Sequence, residues 1–151
     1  MKKLLLFMAI AATGLSACDS RRPQPLTIDN ALTADEIATG ILTPEVMWKM
    51  SRAGSSSLSP DGRTLLYAQT DYLMAEKRGV TTIWVEDLAT KAVTRLTDTA
   101  SNNADPKWSA DGEKIYFLSD RSGSMQVWEM TPAGGNARQL SAFDKDVEGF
   151  G

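Results

Sequence analysis

Two stretches of this sequence, Ser59-Pro60-Asp61-Gly62 and Ser109-Ala110-Asp111-Gly112, open the same succession of motifs. Glycine at the fourth position of both stretches accepts a positive φ, and proline at the second position of the first stretch presets its dihedral angle. Both stretches therefore predict a type I turn. A tryptophan follows each turn, and the two tryptophans lie 44 residues apart, at Trp84 and Trp128. The sequence therefore contains two copies of one structural unit.

An apolar run of strand length follows each turn, Leu65-Leu66-Tyr67-Ala68 in the first copy and Ile115-Tyr116-Phe117-Leu118 in the second. Neither run alternates with polar residues, which indicates a strand covered on both faces. A period of about 40 to 45 residues with strands stacked between neighbours is typical of a four-stranded propeller blade. We therefore predict an all-β fold, an incomplete β-propeller of two four-stranded blades, preceded by short helices and a signal peptide.

The spacing within the two copies is equal at one end and unequal at the other. Each tryptophan precedes a Leu-Thr or Leu-Ser pair by 12 residues, at Leu96 and Leu140. From Asp61 to Trp84 the distance is 23 residues, but from Asp111 to Trp128 it is only 17. We expect the six additional residues, near 72–79, to form a hairpin loop.

Aromatic side chains occupy matching positions in both copies. We interpret them as packing residues between blades and not as an aromatic binding cage. They are Tyr67, Trp84, Tyr116, Phe117 and Trp128.

The first 17 residues have the layout of a secretory signal, because two lysines precede an unbroken apolar stretch and small residues follow. That stretch is too short to cross a bilayer, which takes about 20 apolar residues in a helix. The segment Leu15-Ser16-Ala17-Cys18 resembles the lipobox of bacterial lipoproteins, and Cys18 is the only cysteine in the chain. We expect lipidation of Cys18 and a lipid-anchored protein of the bacterial cell envelope, in the periplasm.

The rest of the chain divides by its start and stop signals. Residues 18–41 predict a tether and a short helix, in which Thr33 and Glu36 form a capping box and Gly40 ends the helix. Residues 42–56 predict a second helix that begins with Thr43 and Pro44 and carries an apolar side. The blades are assigned to residues 57–98 and 105–141, and residues 142–151 to the truncated start of the next blade.

Composition excludes several kinds of chemistry. The 151 residues include no histidine and carry a formal net charge of -3. Without histidine and with one cysteine, the chain has no Ser-His-Asp triad, no histidine-ligated metal and no four-cysteine zinc site. Its basic residues are not clustered as binding to nucleic acid requires. We predict no catalytic residue, metal or cofactor in this chain, and no nucleic-acid partner.

The repeated motifs resemble the WD40-like PD40 repeat, found in TolB propellers and in propellers of the prolyl oligopeptidase (S9) family. The residues that show this resemblance are the two turns, the Leu96-Thr97 pair and the stretch from Phe117 to Gly123. The segment 42–50 is similar to the start of bacterial S9 enzymes of the dipeptidyl peptidase 5 and acylaminoacyl peptidase type. That resemblance implies a propeller that gates access of short peptides to a C-terminal hydrolase domain, absent here, which releases dipeptides or acylated amino acids through a serine ester.

Two alternatives remain open at this stage. The chain could belong to a TolB-like envelope propeller that binds proteins without catalysis. It could also be a short lipoprotein, complete as given, that recruits partners through open blade edges.

Overall fold

The computed structural model describes residues 26–151, and the predicted signal and Cys18 lie outside the described residues. Two short helices precede eight strands along the chain. The elements are α1 (Ala34–Thr39), α2 (Pro44–Lys49), β1 (Arg52–Leu58), β2 (Thr64–Leu73), β3 (Arg78–Asp87), β4 (Val93–Arg95), β5 (Asn103–Trp108), β6 (Ile115–Ser119), β7 (Gln126–Met130) and β8 (Arg138–Gln139).

The strands form two antiparallel sheets, each built from four consecutive strands in the order of the sequence. Sheet 1 contains β1 to β4, and sheet 2 contains β5 to β8. The prediction of two four-stranded units is confirmed. Each first strand carries an irregularity in its pairing, between Ala53 and Ser56 in β1 and between Ala104 and Lys107 in β5.

The prediction for the six additional residues of the first copy was wrong. They lengthen the central hairpin instead of forming a loop, since β2 and β3 have 10 residues each whereas β6 and β7 have five. Pairing continues without interruption to Leu73 opposite Arg78, so only residues 74–77 turn. Valine and threonine, which favour strands, fill the extension at Val80, Thr81 and Thr82.

Each sheet presents two different faces. Cross-strand partners share a face, so Tyr67 and its partner Trp84 lie on one side of sheet 1, which we call its front face. The back face of sheet 1 holds Leu66, Ala68 and Ile83. Phe117 pairs with Trp128 on the front face of sheet 2, and the back face there holds Tyr116, Leu118 and Val127.

The core forms where the back face of sheet 1 meets the front face of sheet 2. Leu66 and Ile83 from sheet 1 cluster with three residues of sheet 2, and all are almost completely buried: Ile115, Phe117 and Met130. Leu96, Trp108 and Trp128 pack around this cluster. The stacking expected between neighbouring blades is therefore present at this junction.

Both helices begin as the capping signals predict. The Thr33 hydroxyl accepts from the Glu36 amide and the Glu36 carboxylate accepts from the Thr33 amide, while Gly40 ends α1 in the left-handed region. The Thr43 hydroxyl accepts from the Val46 amide at the start of α2.

The apolar side predicted for the second helix is only partly buried. Val46 is buried, but Met47 and Met50 are 50% and 55% exposed. The helix ends at Lys49, and β1 starts at Arg52, so the segment 42–56 contains both α2 and most of β1.

Within residues 26–151, no helix combines the length and the apolar character needed to span a bilayer.

Candidate functional site at the junction of the two sheets

The turn between β1 and β2 is fixed by the residues that predicted it. Gly62 donates its amide to the Ser59 carbonyl at 2.9 Å and has a φ of 72°, as the type I turn signal requires. The Ser59 hydroxyl donates to the Asp61 carboxylate at 2.6 Å, and Asp61 also accepts from the amide of Arg63. Pro60 occupies the second position of this turn.

The turn between β5 and β6 repeats the same bonds. Gly112 donates to the Ser109 carbonyl at 3.0 Å with a φ of 73°, and the Ser109 hydroxyl donates to Asp111 at 2.5 Å. Alanine replaces proline here without changing the turn. In both turns the pKa of the aspartate is lowered, mainly by the hydrogen bond from the serine hydroxyl. The backbone amide two residues after the aspartate lowers this pKa further.

Because these pKa values are lowered in the folded chain, we expect the fold to lose stability at acidic pH. A carboxyl group whose pKa is lower in the folded chain stabilises the fold above its unfolded pKa of about 3.9, and this contribution declines as the pH falls through that value. The double variant Asp61→Asn, Asp111→Asn keeps an acceptor oxygen in each turn but cannot titrate. Urea unfolding between pH 7 and pH 3 should therefore show a shallower loss of stability in the variant. An unchanged pH dependence would contradict this role.

The Leu-Thr and Leu-Ser pairs close the outer side of each sheet. Leu96 donates its amide to the Ile83 carbonyl at 2.8 Å, and the Thr97 hydroxyl accepts from the Ile83 amide at 2.9 Å. In sheet 2, Leu140 and Ser141 bond Val127 in the same way, at 2.8 and 2.9 Å. The Thr97 and Ser141 hydroxyls thus accept from strand amides that lie beyond the last backbone pairs of β4 and β8.

Polar side chains join the two sheets beside the apolar core. The Asn102 side chain accepts from the Thr81 amide of sheet 1 at 3.1 Å and donates to the Asp120 carboxylate at 2.9 Å. Asn103 is fully buried, and its side-chain oxygen accepts from the Ser119 hydroxyl at 2.9 Å and from Arg121 at 2.8 Å. The bond from the Thr81 amide crosses between the sheets, and the other three hold Asn102 and Asn103 against the end of β6 within sheet 2.

Arg121 lies over two aromatic rings of the junction. Its guanidinium carbon is 5.1 Å from the centre of the Phe117 ring and 4.9 Å from that of Trp128. A cavity of about 360 Å³ opens beside it, lined also by Leu96, Thr97 and residues 135–137. The lining thus combines the Trp128 ring and the Arg121 guanidinium with the Asp98 side chain.

The two predicted packing tryptophans have different surroundings. Trp128 packs on the core cluster, as predicted. Trp84 lies on the front face of sheet 1, and in the part of the chain described here no second sheet covers that face. Its indole N–H donates to the Thr82 hydroxyl at 2.9 Å, and it is only partly buried.

Sequence reasoning missed the asparagines of the junction. Asn102 and Asn103 lie between the two predicted blades, 57–98 and 105–141, but β5 begins at Asn103. A signal did exist, because Asn102 lies 44 residues before Asp146, in register with the tryptophans.

The described residues hold no group of three or more acidic, histidine or cysteine side chains able to bind a metal ion. The serine-rich stretch 54–58 lies within β1, and no histidine exists in the sequence to serve as its base. The described part of the chain therefore offers these serines no histidine base for nucleophilic catalysis.

The fold and the repeated turns define a β-propeller unit of the PD40 type. The family described as "PD40: TolB beta propeller domain" matches residues 30–148, and the chain belongs to this family.

The chain is similar to known proteins of two kinds, peptidases and TolB proteins. It is 38% identical over 86 residues to dipeptidyl-peptidase 5 of Porphyromonas gingivalis, which covers 57% of this chain and 13% of that protein. The structure of a putative TolB from Agrobacterium tumefaciens superimposes with a TM-score of 0.51 at 28% identity, over 61% of this chain and 31% of that one. Acylaminoacyl peptidase from Pyrococcus horikoshii superimposes with a TM-score of 0.53 at 19% identity, over 63% of this chain and 14% of that enzyme.

The chain corresponds to only a small part of its curated relatives. The chain spans less than a fifth of the two dipeptidyl-peptidase 5 proteins it matches, 13% and 18% of their lengths. It is a propeller portion related to the propellers of S9 peptidases.

Proposed function

We propose that this chain is the N-terminal propeller portion of a lipid-anchored S9 serine peptidase that cleaves short peptides. A hydrolase domain outside this chain would supply the serine, aspartate and histidine. The identity to dipeptidyl-peptidase 5 supports the choice of this family over other propeller proteins. Release of dipeptides or acylated amino acids is the reaction that the S9 relatives suggest.

The observation that carries the proposal is a second copy of the contact that joins the two sheets. Asp146 accepts from the Met125 amide at 2.7 Å, just as Asn102 accepts from the Thr81 amide at 3.1 Å, 44 residues earlier. Val147 then donates to the Met125 carbonyl at 2.8 Å. Asp146 and Val147 thus bond to Met125 beside the start of β7, where a further first strand would begin along sheet 2.

The unequal faces of the sheets give a reason for further blades. The back face of sheet 1 is covered by the front face of sheet 2, and each remaining face is suited to another copy of the same unit. A ring built in this way would place the first strand of each blade around a central opening. Such an opening admits short peptides and excludes folded proteins, which is the gating role that we propose.

The gene sequence downstream of Gly151 tests the peptidase assignment. We expect further Ser-Pro-Asp-Gly turns at intervals near 44 residues, then a Gly-x-Ser-x-Gly motif with a later aspartate and histidine. Repeats that end without this motif would contradict the assignment.

Mass spectrometry of the protein from a bacterial membrane fraction tests the anchor. We expect a chain that begins at Cys18 and carries acyl chains on that residue, because two or more chains are needed for stable attachment. An unmodified Cys18 thiol in the mature protein would refute lipidation.

A TolB-like binding module is the second candidate function. The 28% identity to the Agrobacterium protein and the description of the matched family favour it. It differs from the first candidate in one respect that the gene test resolves, since its repeats would end without a hydrolase domain.

A further inference from the structure

Exposed apolar side chains are concentrated in the segment 32–50, which we call the N-terminal platform. Twelve large apolar side chains are strongly exposed among residues 26–151, and seven of them belong to these 19 positions. The seven are Leu32, Ile37, Ile41, Leu42, Met47, Trp48 and Met50. Single exposed apolar residues are ordinary, but such a concentration marks an interaction surface.

The contacts that hold the platform in shape use only one of these seven side chains, Trp48. Lys49 in α2 forms an ion pair with Glu36 in α1 at 2.8 Å and also donates to the Ala31 carbonyl. Trp48 stacks on Tyr72 of β2, with ring centres 4.4 Å apart. The two helices are therefore tied to each other and to the long hairpin, while Ile37 and Ile41 remain 65% and 63% exposed.

The platform lies close to the predicted anchor along the chain. Eight residue steps separate Cys18 from Leu26, and a chain of this length spans at most about 30 Å. The Leu26 carbonyl accepts from the Thr99 hydroxyl at 2.6 Å, which fixes the start of the described chain against the connection between the two sheets. A lipid attached to Cys18 would therefore keep Leu26, six residues before the platform, within about 30 Å of the bilayer surface.

We propose that the N-terminal platform rests on the membrane to which Cys18 is attached, with its exposed apolar side chains in the lipid interface. The platform contains three carboxylates, Asp35, Glu36 and Glu45, but only one lysine, Lys49. This charge favours a surface of zwitterionic lipids over an anionic one. Apolar contact adds to the anchor and holds the sheets in one orientation above the bilayer. The inference rests on the lipid anchor of the proposed function.

Quenching of tryptophan emission by brominated lipids tests this contact. The lipidated chain is reconstituted in phosphatidylcholine vesicles with and without bromine on the acyl chains. We expect bromine to lower the emission of the unchanged chain, and this effect to be several-fold smaller in Trp48→Phe. The triple variant Ile37→Gln, Ile41→Gln, Leu42→Gln should lose the quenching of Trp48 while keeping its circular dichroism.

A matched control lies at the other end of sheet 1. Leu58 and Val93 are 53% and 50% exposed, but they pair with Leu65 and Glu86, far along the strands from the hairpin tip. Leu58→Gln, Val93→Gln should therefore leave the quenching unchanged. Equal loss of quenching in both variants would overturn the proposal.

Other outcomes separate this inference from the proposed anchor. If Cys18 carries no lipid in the cell, coupling its thiol to a maleimide lipid still tests the contact, because it is the only cysteine. Absence of bromine quenching in the anchored chain would refute the platform contact but not the anchor. Association that depends on protein concentration and is removed by the triple variant would assign the platform to a second copy, and would likewise overturn the proposal. Quenching that is lost in the longer protein, with its further blades and hydrolase domain, would assign the platform to a contact within that protein and would also overturn the proposal.

Discussion

Replacing Phe117 by alanine should lower the free energy of unfolding by about 3 to 5 kcal/mol, among the largest effects expected of a single substitution. Phe117 is completely buried where the back face of sheet 1 meets the front face of sheet 2. Its ring belongs to a cluster formed by both sheets, and the Arg121 guanidinium carbon lies 5.1 Å from its centre. Urea unfolding followed by circular dichroism measures the effect.

Two further variants keep this prediction testable if Phe117→Ala does not fold. Phe117→Leu removes less volume and should lose about 1 to 2 kcal/mol, so that its transition remains measurable. Phe143→Ala changes a ring that is 67% exposed and should cost less than about 0.5 kcal/mol. Similar losses for Phe117→Leu and Phe143→Ala would show that the junction is not the main source of stability.

Replacing Asn103 by leucine should cost about 2 to 3 kcal/mol, since hydrogen bonds to charged groups are worth about 1.5 to 3 kcal/mol. Leucine has a similar volume but gives no acceptor to Ser119 or Arg121, whose donors lie 2.9 and 2.8 Å from the Asn103 oxygen. It also removes the bond from the Asn103 amide to the Ser101 carbonyl. The free energy of unfolding in urea is the measurement.

Asn103→Asp is the conservative control. It keeps an acceptor toward Ser119 and Arg121 but loses the donor to the carbonyls of Ser101 and Thr81, so we expect a smaller loss than with leucine. An aspartate variant as unstable as the leucine variant would indicate that packing, and not acceptance from Arg121, determines the role of this position.

Much of the fold could be predicted because its signals are local. Asp61 and Gly62 act within a turn of four residues, and Thr43 and Pro44 within the first turn of a helix, so their side chains act where the sequence places them. The spacing of 44 residues between Trp84 and Trp128 then fixes the unit that repeats.

The junction was harder to foresee because its contacts join residues distant in sequence. Thr81 meets Asn102 across 21 residues, and Asn103 meets Arg121 across 18. No short motif states which of these polar residues become buried. The length of the first hairpin was misjudged for a related reason, since residues 72–79 are equally compatible with a loop or with two extended strands until the register of β2 and β3 is known.

The difference between the faces of each sheet has a consequence for the whole ring. If each back face received a front face, as at the one junction described, every junction would relate one unit to the next by the same rotation and shift, as in a head-to-tail assembly. Such an arrangement closes into a ring only when the rotations between successive units add up to a full circle. The angle set by Leu66, Ile83 and Phe117 at one junction would thereby determine how many units the circle can hold.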